Sequence, residues 1–318
     1  MTSENTFSPF RFRIGTRKSQ LALWQANWVK SRLEEMYPGI EVELVKIVTK
    51  GDRITDSPLA KIGGKGLFVK EIEEALIEGS VDLAVHSMKD VPAQIPAALE
   101  IAAIPEREDP YDALLSRNGD VLRHLAEGAK LGTSSLRRTA QIKIIRPDLN
   151  VEALRGNLDT RLRKLDEGLY DAIVVAVAGL NRLGWKGRIV EFLGPPDFLP
   201  ALGQGALAIE IRANDDRVRK LIEPFEHAET RITITAERAL QRTLGGGCQV
   251  PIAGHAVINP QGRVFLTGLV ASVDGAKVVR GDIEGSVGEA YHMGVKLAWR
   301  LLEEGAREIL GEIYGDGQ

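Results

Sequence analysis

Cys248 is the only cysteine in this 318-residue chain, and it lies in the run Gly-Gly-Gly-Cys-Gln-Val-Pro at residues 245–251. Consecutive glycines cost conformational entropy in helices and strands, so the run indicates a sharply bent loop or backbone that makes room for another group. A thiolate forms stable carbon–sulfur bonds. Cys248 is therefore either a small buried hydrophobe or a point of covalent attachment.

Arginines recur where strands are expected to end. The segment 132–138, Gly-Thr-Ser-Ser-Leu-Arg-Arg, is typical of a strand-to-helix turn, where backbone N–H groups bind anions. Guanidinium groups beside it would bind carboxylates in pairs of hydrogen bonds. The candidate residues at such turns are Arg17, Ser19, Ser135, Arg137, Arg138, Arg155, Arg161 and Arg182. Any single arginine among them could be a solvated surface charge. So many arginines at strand ends, in a chain of net charge −3, indicate a cleft that binds several carboxylates or phosphates.

Lys89 and Asp90 are adjacent at the end of an apolar strand predicted over residues 81–87, and Pro92 stops the strand. Alone, the two residues could form a surface ion pair. Alternatively, the carboxylate stabilises a developing cation or transfers protons in a cleft. His86, in the same segment, is interpreted as a core or wall residue.

Residues 60–68 resemble a phosphate-binding loop only superficially. Leu59 occupies the position of the first glycine, and Gly66 replaces the Ser or Thr that would bind magnesium. We interpret the segment as a mobile loop that carries Lys61 and Lys65. Five histidines and one cysteine offer no metal-ligand spacing, so no metal site is expected.

Strands and helices alternate through the first two thirds of the chain, which predicts parallel α/β sheets. A strand at 12–16 leads into a helix that begins after Ser19, and the apolar face of this helix comprises Ala22, Ala26, Val29, Leu33 and Met36. Further predicted elements are a strand at 41–49 and a helix near 67–78.

Two segments recur. Residues 13–16 resemble residues 130–133, and residues 78–82 resemble residues 167–171, although the spacing within each pair differs. The repeat predicts two related α/β lobes that face each other across a cleft, with ligands at the carboxyl ends of the strands.

The pattern changes after residue 228. A predicted helix near 230–243 precedes the glycine loop, strand-like runs follow at 252–258, 263–272 and 277–283, and a last helix is predicted over 287–310. This order indicates a small α+β domain with an antiparallel sheet.

Composition excludes several classes of protein. The net charge of −3 and the pI of about 6.1 argue against general binding to nucleic acids or acidic membranes. The longest apolar run, 172–180, is too short to span a bilayer. A single cysteine excludes an internal disulfide, and the N-terminus does not resemble a secretory signal, so we expect a cytoplasmic protein.

Taken together, these residues resemble the porphobilinogen deaminase family, also called hydroxymethylbilane synthase. The resemblance covers about residues 12 to 310, and the motifs that carry it lie at 13–25, 61–68, 86–92, 132–138, 154–157, 202–206 and 245–251. It implies two lobes like those of type II periplasmic binding proteins plus a C-terminal α+β domain. The implied domains are 1–105 with a returning segment 206–223, then 106–205, then 228–318.

The resemblance also implies the chemistry. A dipyrromethane cofactor would be joined by a thioether to Cys248. Each porphobilinogen would lose ammonia to give an azafulvenium cation, which the bound pyrrole chain attacks. Four such additions and a hydrolysis would release linear hydroxymethylbilane, a step of haem and tetrapyrrole biosynthesis. The enzyme would be a monomeric transferase.

Roles for individual residues follow from the same resemblance. Asp90 would stabilise cationic intermediates, and Lys89, Asp90, Ser135, Arg137, Arg138 and Arg155 would bind the cofactor. Arg17, Ser19, Arg155, Arg161 and Arg182 would bind the carboxylates of the substrate. Lys61, Lys65 and Phe68 belong to a loop expected to cover the cleft.

Two other functions remain open from the residues alone. A two-lobed dicarboxylate-binding protein without catalysis would explain the arginines but not the cysteine loop or the third domain. A nucleotide-using enzyme is disfavoured because the phosphate loop fails and no dinucleotide fingerprint is present.

Overall fold

The computed structural model describes residues 10–53, 66–246 and 250–315. The strands are β1 Phe10–Thr16, β2 Ile40–Lys46, β3 Leu83–Ser87, β4 Leu99–Ala103, β5 Asp112–Ser116, β6 Lys130–Gly132, β7 Asn150–Glu152, β8 Ala172–Ala176, β9 Glu191–Leu193, β10 Leu207–Arg212, β11 Ile252–Ile258, β12 Arg263–Ala271 and β13 Val278–Ser286. The α-helices are α1 Gln20–Met36, α2 Lys50–Arg53, α3 Lys70–Ile77, α4 Leu136–Ile145, α5 Leu158–Asp166, α6 Val177–Arg182, α7 Asp216–Ile222, α8 Ala228–Thr243, α9 Ala290–Leu301 and α10 Arg307–Gly315.

Two of the sheets have the same topology. The first has the order β2-β1-β3-β10-β4, and the second has the order β7-β6-β8-β5-β9. In each, the first three strands are parallel and the fourth runs antiparallel to its neighbours. The predicted α/β class with two related lobes is therefore confirmed.

The repeated segments occupy equivalent places in the two sheets. The backbone N–H of Arg13 donates to the Asp82 carboxylate over 2.8 Å, and that of Lys130 donates to the Asp171 carboxylate over 2.9 Å. Both acidic residues follow a glycine with positive φ, Gly79 or Gly168. A left-handed turn that only glycine adopts readily thus precedes the third parallel strand of each sheet.

Helices cover both faces of each sheet, which explains the nearly continuous apolar strands. In the first sheet, Phe12 and Ile14 pack with Val29 and Leu33 of α1, whereas Ala84 packs with the opposite helix α3. The predicted inner face of α1 is confirmed except at Met36, which is 36% exposed because it ends the helix.

The chain passes twice between the two sheets, through residues 104–111 and 194–206. The two passages contact each other, since the N–H of Glu108 donates to the carbonyl of Gly205 over 3.3 Å. Gly205 has φ +89°, and a Cβ atom there would lie 2.2 Å from the Glu108 carbonyl oxygen. This close approach requires glycine.

The third sheet, β11-β12-β13, is antiparallel and separate from the others, as predicted. Leu240 of α8 and Leu297 of α9 belong to the apolar core beside it. The predicted single helix over 287–310 is wrong. Gly305 has φ 114° inside a π-helical segment, Leu302–Ala306, so the helix is divided into α9 and α10. Within the described ranges, every helix falls short of the length and apolarity that crossing a bilayer requires.

We predict that Gly294→Ala destabilises the protein. A Cβ atom at Gly294 of α9 would lie 2.2 Å from the carbonyl oxygen of Ala236 in α8, so the helices must move apart. Overpacking of this kind costs about 1–3 kcal/mol, which urea unfolding would measure. Gly311→Ala is the control, because nothing lies within 4 Å of its Cβ position. Equal midpoints for the two variants would contradict the prediction.

Candidate functional site

Asp90 ends a 3₁₀ turn, Met88–Asp90, directly after β3. The buried Met88 anchors this turn, since its N–H donates to the Ala206 carbonyl over 3.0 Å. Asp90 is half-buried and lines a cavity of about 60 Å³ at the end of the first sheet. The other residues that line this cavity are Arg17, Ser19, Leu21, Ala22, Gln25, Phe68, Val69, Ile72, Val85, His86 and Ser87. Arg17, Ser19, Phe68 and Asp90, all predicted site residues, therefore meet at one place.

Arg17 is held in position from two sides. Its Nε donates to the Asp52 carboxylate over 3.1 Å, and its guanidinium carbon lies 4.3 Å from the centre of the Phe68 ring. Burial opposes ionisation of Asp52, but hydrogen bonds from Arg17 outweigh it and lower the pKa of this carboxyl. Asp52 thus fixes a guanidinium that faces the cavity.

The serines at the two equivalent turns are helix caps. Ser19 Oγ accepts from the N–H of Ala22 over 3.3 Å at the start of α1, and Ser135 Oγ accepts from the N–H of Arg138 over 3.4 Å at the start of α4. Each cap satisfies an N–H group that the helix leaves unpaired. The helices therefore begin where the sequence predicted.

Arg137 and Arg138 share one buried carboxylate. Asp112 is fully buried; it accepts from Nη1 of Arg137 over 2.7 Å and from Nη2 of Arg138 over 2.6 Å. Arg137 also donates to the carbonyl of Leu199, and Arg138 to that of Val174. Burial alone would raise the pKa of Asp112, but the two guanidinium charges hold this pKa well below its usual range.

Lys89 joins the same network through Gln204. Its Nζ donates to Gln204 Oε1 over 3.1 Å, and Gln204 Nε2 donates to Asp112 over 2.9 Å. Burial, reinforced by the charge of Arg138, lowers the pKa of the Lys89 ammonium group to about 8. Gln204 belongs to the second passage between the sheets, so this network spans the junction of the two lobes.

Arg161 completes the positive cluster on the side of the second sheet. Its Nε donates to the Gly156 carbonyl over 2.9 Å. Burial, reinforced by the charges of Arg138 and Arg155 and opposed by Asp90, lowers the pKa of Arg161 to about 10. The cluster Lys89, Arg137, Arg138, Arg155 and Arg161 is thus balanced by only two carboxylates among the residues named in these interactions, Asp90 and Asp112.

Arg182 lies against the passage between the lobes. Its Nη2 donates to the carbonyl of Gly205 over 2.7 Å, and its guanidinium carbon lies 5.9 Å from the centre of the Trp24 ring. Burial, opposed by Glu108, lowers the pKa of Arg182 to about 10. Its position brings helix α6 of the second lobe close to helix α1 of the first.

Helix α8 connects the Asp90 turn with the cysteine loop. Arg238 donates to the Pro92 carbonyl over 2.8 Å, and Arg242 donates to the Ala93 carbonyl over 3.2 Å. The same helix ends at Thr243, and the described chain continues to Gly246 and resumes at Val250. Cys248, Lys61 and Lys65 lie outside the described residues.

Sequence reasoning missed the residues that tie these parts together. Glu237 of α8 is fully buried and accepts from Arg107 over 2.7 Å, from the N–H of Gly203 over 2.6 Å and from the N–H of Ala256 over 2.9 Å. Asp112 and Gln204 were missed as well. Two sequence features could have indicated these two residues. Asp112 is an acidic residue at the start of an apolar strand, and Gln204 lies between two glycines.

A shallower depression of about 520 Å³ lies elsewhere on the first lobe, and it shares no residue with the Asp90 cavity. Its lining residues are Tyr37, Asp216, Arg217, Lys220 and Leu221. It is open and lacks the buried charges of the first site, so the Asp90 cavity remains the candidate site.

One solved structure similar to this chain is the periplasmic aliphatic sulphonate binding protein of Escherichia coli. The two chains share 17% sequence identity with a TM-score of 0.40, and the match covers 74% of this chain and 71% of the other. A nutrient binding protein from Burkholderia cenocepacia bound to methionine has 15% identity, a TM-score of 0.42 and coverage of 69% and 93%.

Comparison of sequences is far more specific. The family profile described as "Porphobilinogen deaminase, dipyromethane cofactor binding domain" matches residues 12–220, and that of the "Porphobilinogen deaminase, C-terminal domain" matches residues 231–303. The porphobilinogen deaminase of Syntrophobacter fumaroxidans is 54% identical over 302 residues, which cover 95% of this chain and 97% of the relative. That of Geobacter sulfurreducens is 55% identical over 304 residues, covering 96% and 95%.

These matches favour the transferase over a dicarboxylate-binding protein without catalysis. They span both α/β sheets and the third sheet, so they account for the whole described architecture. The chain belongs to the porphobilinogen deaminase family, and it is a transferase that polymerises porphobilinogen with a dipyrromethane cofactor.

Proposed function

We propose that the positive cluster at the lobe junction binds the carboxylates of dipyrromethane and of the growing chain. The supporting observation is that Lys89, Arg137 and Arg138 are joined through Gln204 and Asp112 at the junction of the lobes, where burial and the repulsion between neighbouring cations lower the pKa of Lys89. A ligand that brings several carboxylates would relieve this repulsion. Dipyrromethane carries acetate and propionate side chains, so the residues present fit the group.

Cys248 is the proposed attachment point, since it is the only cysteine in the chain and lies in a glycine-rich run. When bound, dipyrromethane supplies a nucleophilic pyrrole carbon to which substrate units are added. Lys89, Arg138 and Arg155 would bind its carboxylates, and Ser135 would fix the start of α4. Arg137 and Arg138 already donate to Asp112 and to the carbonyls of Leu199 and Val174, so they would contribute mainly through their charge and their remaining N–H groups.

The substrate would be held from both lobes. Arg17 and Ser19 on the first lobe and Arg155, Arg161 and Arg182 on the second would bind the acetate and propionate of porphobilinogen. Asp90 would stabilise positive charge that develops when ammonia leaves. Lys61 and Lys65 would belong to a loop that covers the cleft, and Phe68 would hold Arg17 in place.

We also propose the division into residues 1–105 with 206–223, residues 106–205 and residues 228–318; the separate sheets support it. The enzyme would act as a cytoplasmic monomer without nucleic-acid or membrane partners. A net charge of −3 and the single cysteine support this proposal.

A thioether at Cys248 would add a fixed mass to the protein. The purified protein should have an intact mass that exceeds the chain by two linked pyrroles, and Cys248→Ser should lack this increment because oxygen replaces the attacking sulfur. Mass spectrometry of both proteins, purified identically, makes the comparison. An active wild-type protein with the mass of the bare chain would exclude a covalent cofactor.

Asp90→Asn should reduce kcat by about 100- to 1000-fold, because it removes the carboxylate from the cavity where positive charge develops. Turnover of porphobilinogen by cofactor-loaded protein would measure the loss. Asp120→Asn is the control, because Asp120 is exposed and the substitution leaves its backbone carbonyl, which accepts from Ser116, unchanged. Normal turnover of the Asp90 variant would remove this residue from the mechanism.

Asp112→Asn should destabilise the protein by about 3–5 kcal/mol, because it leaves two buried guanidinium groups without their shared anion. The pKa of Asp112 is lower in the folded protein than in the unfolded chain. The ionised carboxylate therefore stabilises the fold at pH values above the pKa of the unfolded chain, and this stabilisation is lost as the pH falls through the pKa of the folded protein. Urea unfolding at neutral pH measures the change. Asp166→Asn, which breaks an exposed pair with Arg188, should have an effect below about 1 kcal/mol. Similar losses in both variants would argue against the buried triad as a structural anchor.

A further inference from the structure

Helix α4 contacts the third sheet as well as the second. Ala140, in the middle of α4, belongs to one buried apolar cluster with Ala253 of β11 and with Leu269 and Ala271 of β12. Val270 of β12 belongs instead to the core that contains α8 and α9. Because successive strand residues point to opposite faces, α4 packs on the face of the third sheet that α8 and α9 leave open.

The turn between β12 and β13 lies directly on the same helix. A Cβ atom at Gly275 would lie 2.9 Å from the backbone nitrogen of Ile144 and 3.0 Å from the carbonyl oxygen of Ala140. Ordinary contacts between carbon atoms are about 3.5–4 Å long, so only glycine fits at this point of the turn. The N–H of Gly275 donates to the carbonyl of Ser272 over 2.9 Å, which keeps the turn tight against the helix.

A second connection runs through the second passage between the α/β sheets. Gln141 of α4 accepts from the backbone N–H of Leu199 over 2.7 Å and donates to the carbonyl of the same residue over 2.9 Å. The next residue, Pro200, accepts from the N–H of Gly254 in the edge strand β11 over 3.0 Å. The passage is therefore bonded to α4 on one side and to the third sheet on the other.

Helix α4 also carries guanidinium groups of the site. Arg137 and Arg138 lie in its first turn and share the buried carboxylate described above. Residues three and four apart are neighbours on a helix surface, so Ala140 and Gln141 lie next to Arg137. Ile142 of the same helix belongs to the core of the second sheet. A shift of the third sheet along α4 is therefore also a shift relative to the guanidinium groups.

The third sheet and α8 hold the described residues on both sides of the cysteine. The N–H of Gly246 donates to a carbonyl of α8 over 2.9 Å, and Val250 belongs to the apolar core beside the third sheet. On the carboxyl side, the N–H of Ala271 donates to the carbonyl of Pro251 over 3.2 Å. Ala271 thus belongs to the cluster that includes α4 and also binds the residue three positions after Cys248.

We propose that the α4 contact, defined as Ala140 and Ile144 of α4 with Ala271 and Gly275 of the third sheet, positions the chain around Cys248 for attachment of the cofactor. This role rests on the proposed function. Dipyrromethane has only two linked rings, so its carboxylates reach the start of α4 only if its attached end is held at a fixed distance. The four residues are positioning residues, since they act through α4 and through the backbone beside the cysteine run.

Gly275→Ala tests the contact, and Gly262→Ala is the matched control. The two glycines have φ +75° and +72° in the two hairpin turns of one sheet, so both variants bear similar backbone strain. Nothing lies within 4 Å of the Cβ position at Gly262, so only Gly275→Ala pushes the sheet away from α4.

The readout is attachment of the cofactor, measured without turnover. Full-length protein made in cells that lack porphobilinogen is incubated with porphobilinogen, and its intact mass is followed over time. Because displacements of about 1 Å can lower a rate about 100-fold, Gly275→Ala should gain the mass of two linked pyrroles about 10-fold more slowly than Gly262→Ala. Equal rates in the two variants would overturn the proposal.

Two further measurements separate positioning from loss of structure. The rates are referred to the folded fraction of each variant, determined by urea unfolding. Cys248 of the uncharged proteins should react with N-ethylmaleimide equally fast in both variants, because the substitution changes the position of the thiol and not its chemistry. If this reaction slows in Gly275→Ala as much as attachment does, the substitution disrupts the cysteine run itself, and the positioning role is overturned.

If Gly275→Ala does not fold, Gly275→Asn and Gly262→Asn decide, because asparagine adopts positive φ more readily than alanine and carries the same Cβ atom. Slower attachment in Gly275→Asn supports the positioning role, and equal attachment overturns it. A wild-type protein that gains no mass on incubation with porphobilinogen would instead refute the proposed covalent cofactor, whatever the variants do.

Discussion

The site depends on the ion triad in which the fully buried Asp112 binds Arg137 and Arg138. Burying two guanidinium groups is costly, and one carboxylate offsets the cost only in part. The remaining positive charge is held rigidly at the junction of the lobes, where Gln204 adds Lys89 to the same network. A preorganised field of this kind needs no rearrangement when an anionic ligand arrives.

Helix α8 supports this site through contacts with both passages between the sheets. Glu237 of α8 binds Arg107 in the first passage and the backbone of Gly203 in the second, while Arg238 binds the carbonyl of Pro92 beyond the Asp90 turn. One helix therefore fixes both passages and the turn that carries Asp90. The same helix ends at Thr243, just before the glycine run that contains Cys248. It therefore positions the two passages and also the residues that lead into this run.

The sequence allowed the local features to be predicted because short-range physics determines them. The start of a helix after Ser19 and the resemblance of residues 78–82 to residues 167–171 both depend on residues that are neighbours in the chain. The ion network could not be predicted, since its partners are far apart in the chain: Asp112 and Arg137 are separated by 25 residues, and Glu237 and Arg107 by 130. The break at Gly305 was missed because the apolar period continues on both sides of it.

The return of strand β10 to the first sheet has a consequence for synthesis on the ribosome. Strand β10 lies between β3 and β4, which do not pair with each other, so the amino-terminal sheet has an open slot until residues 207–212 have been made. The second sheet, whose strands all lie within residues 112–193, is complete earlier. The lobe that begins first is thus finished last, and its unpaired strand edges stay available for wrong partners during that interval.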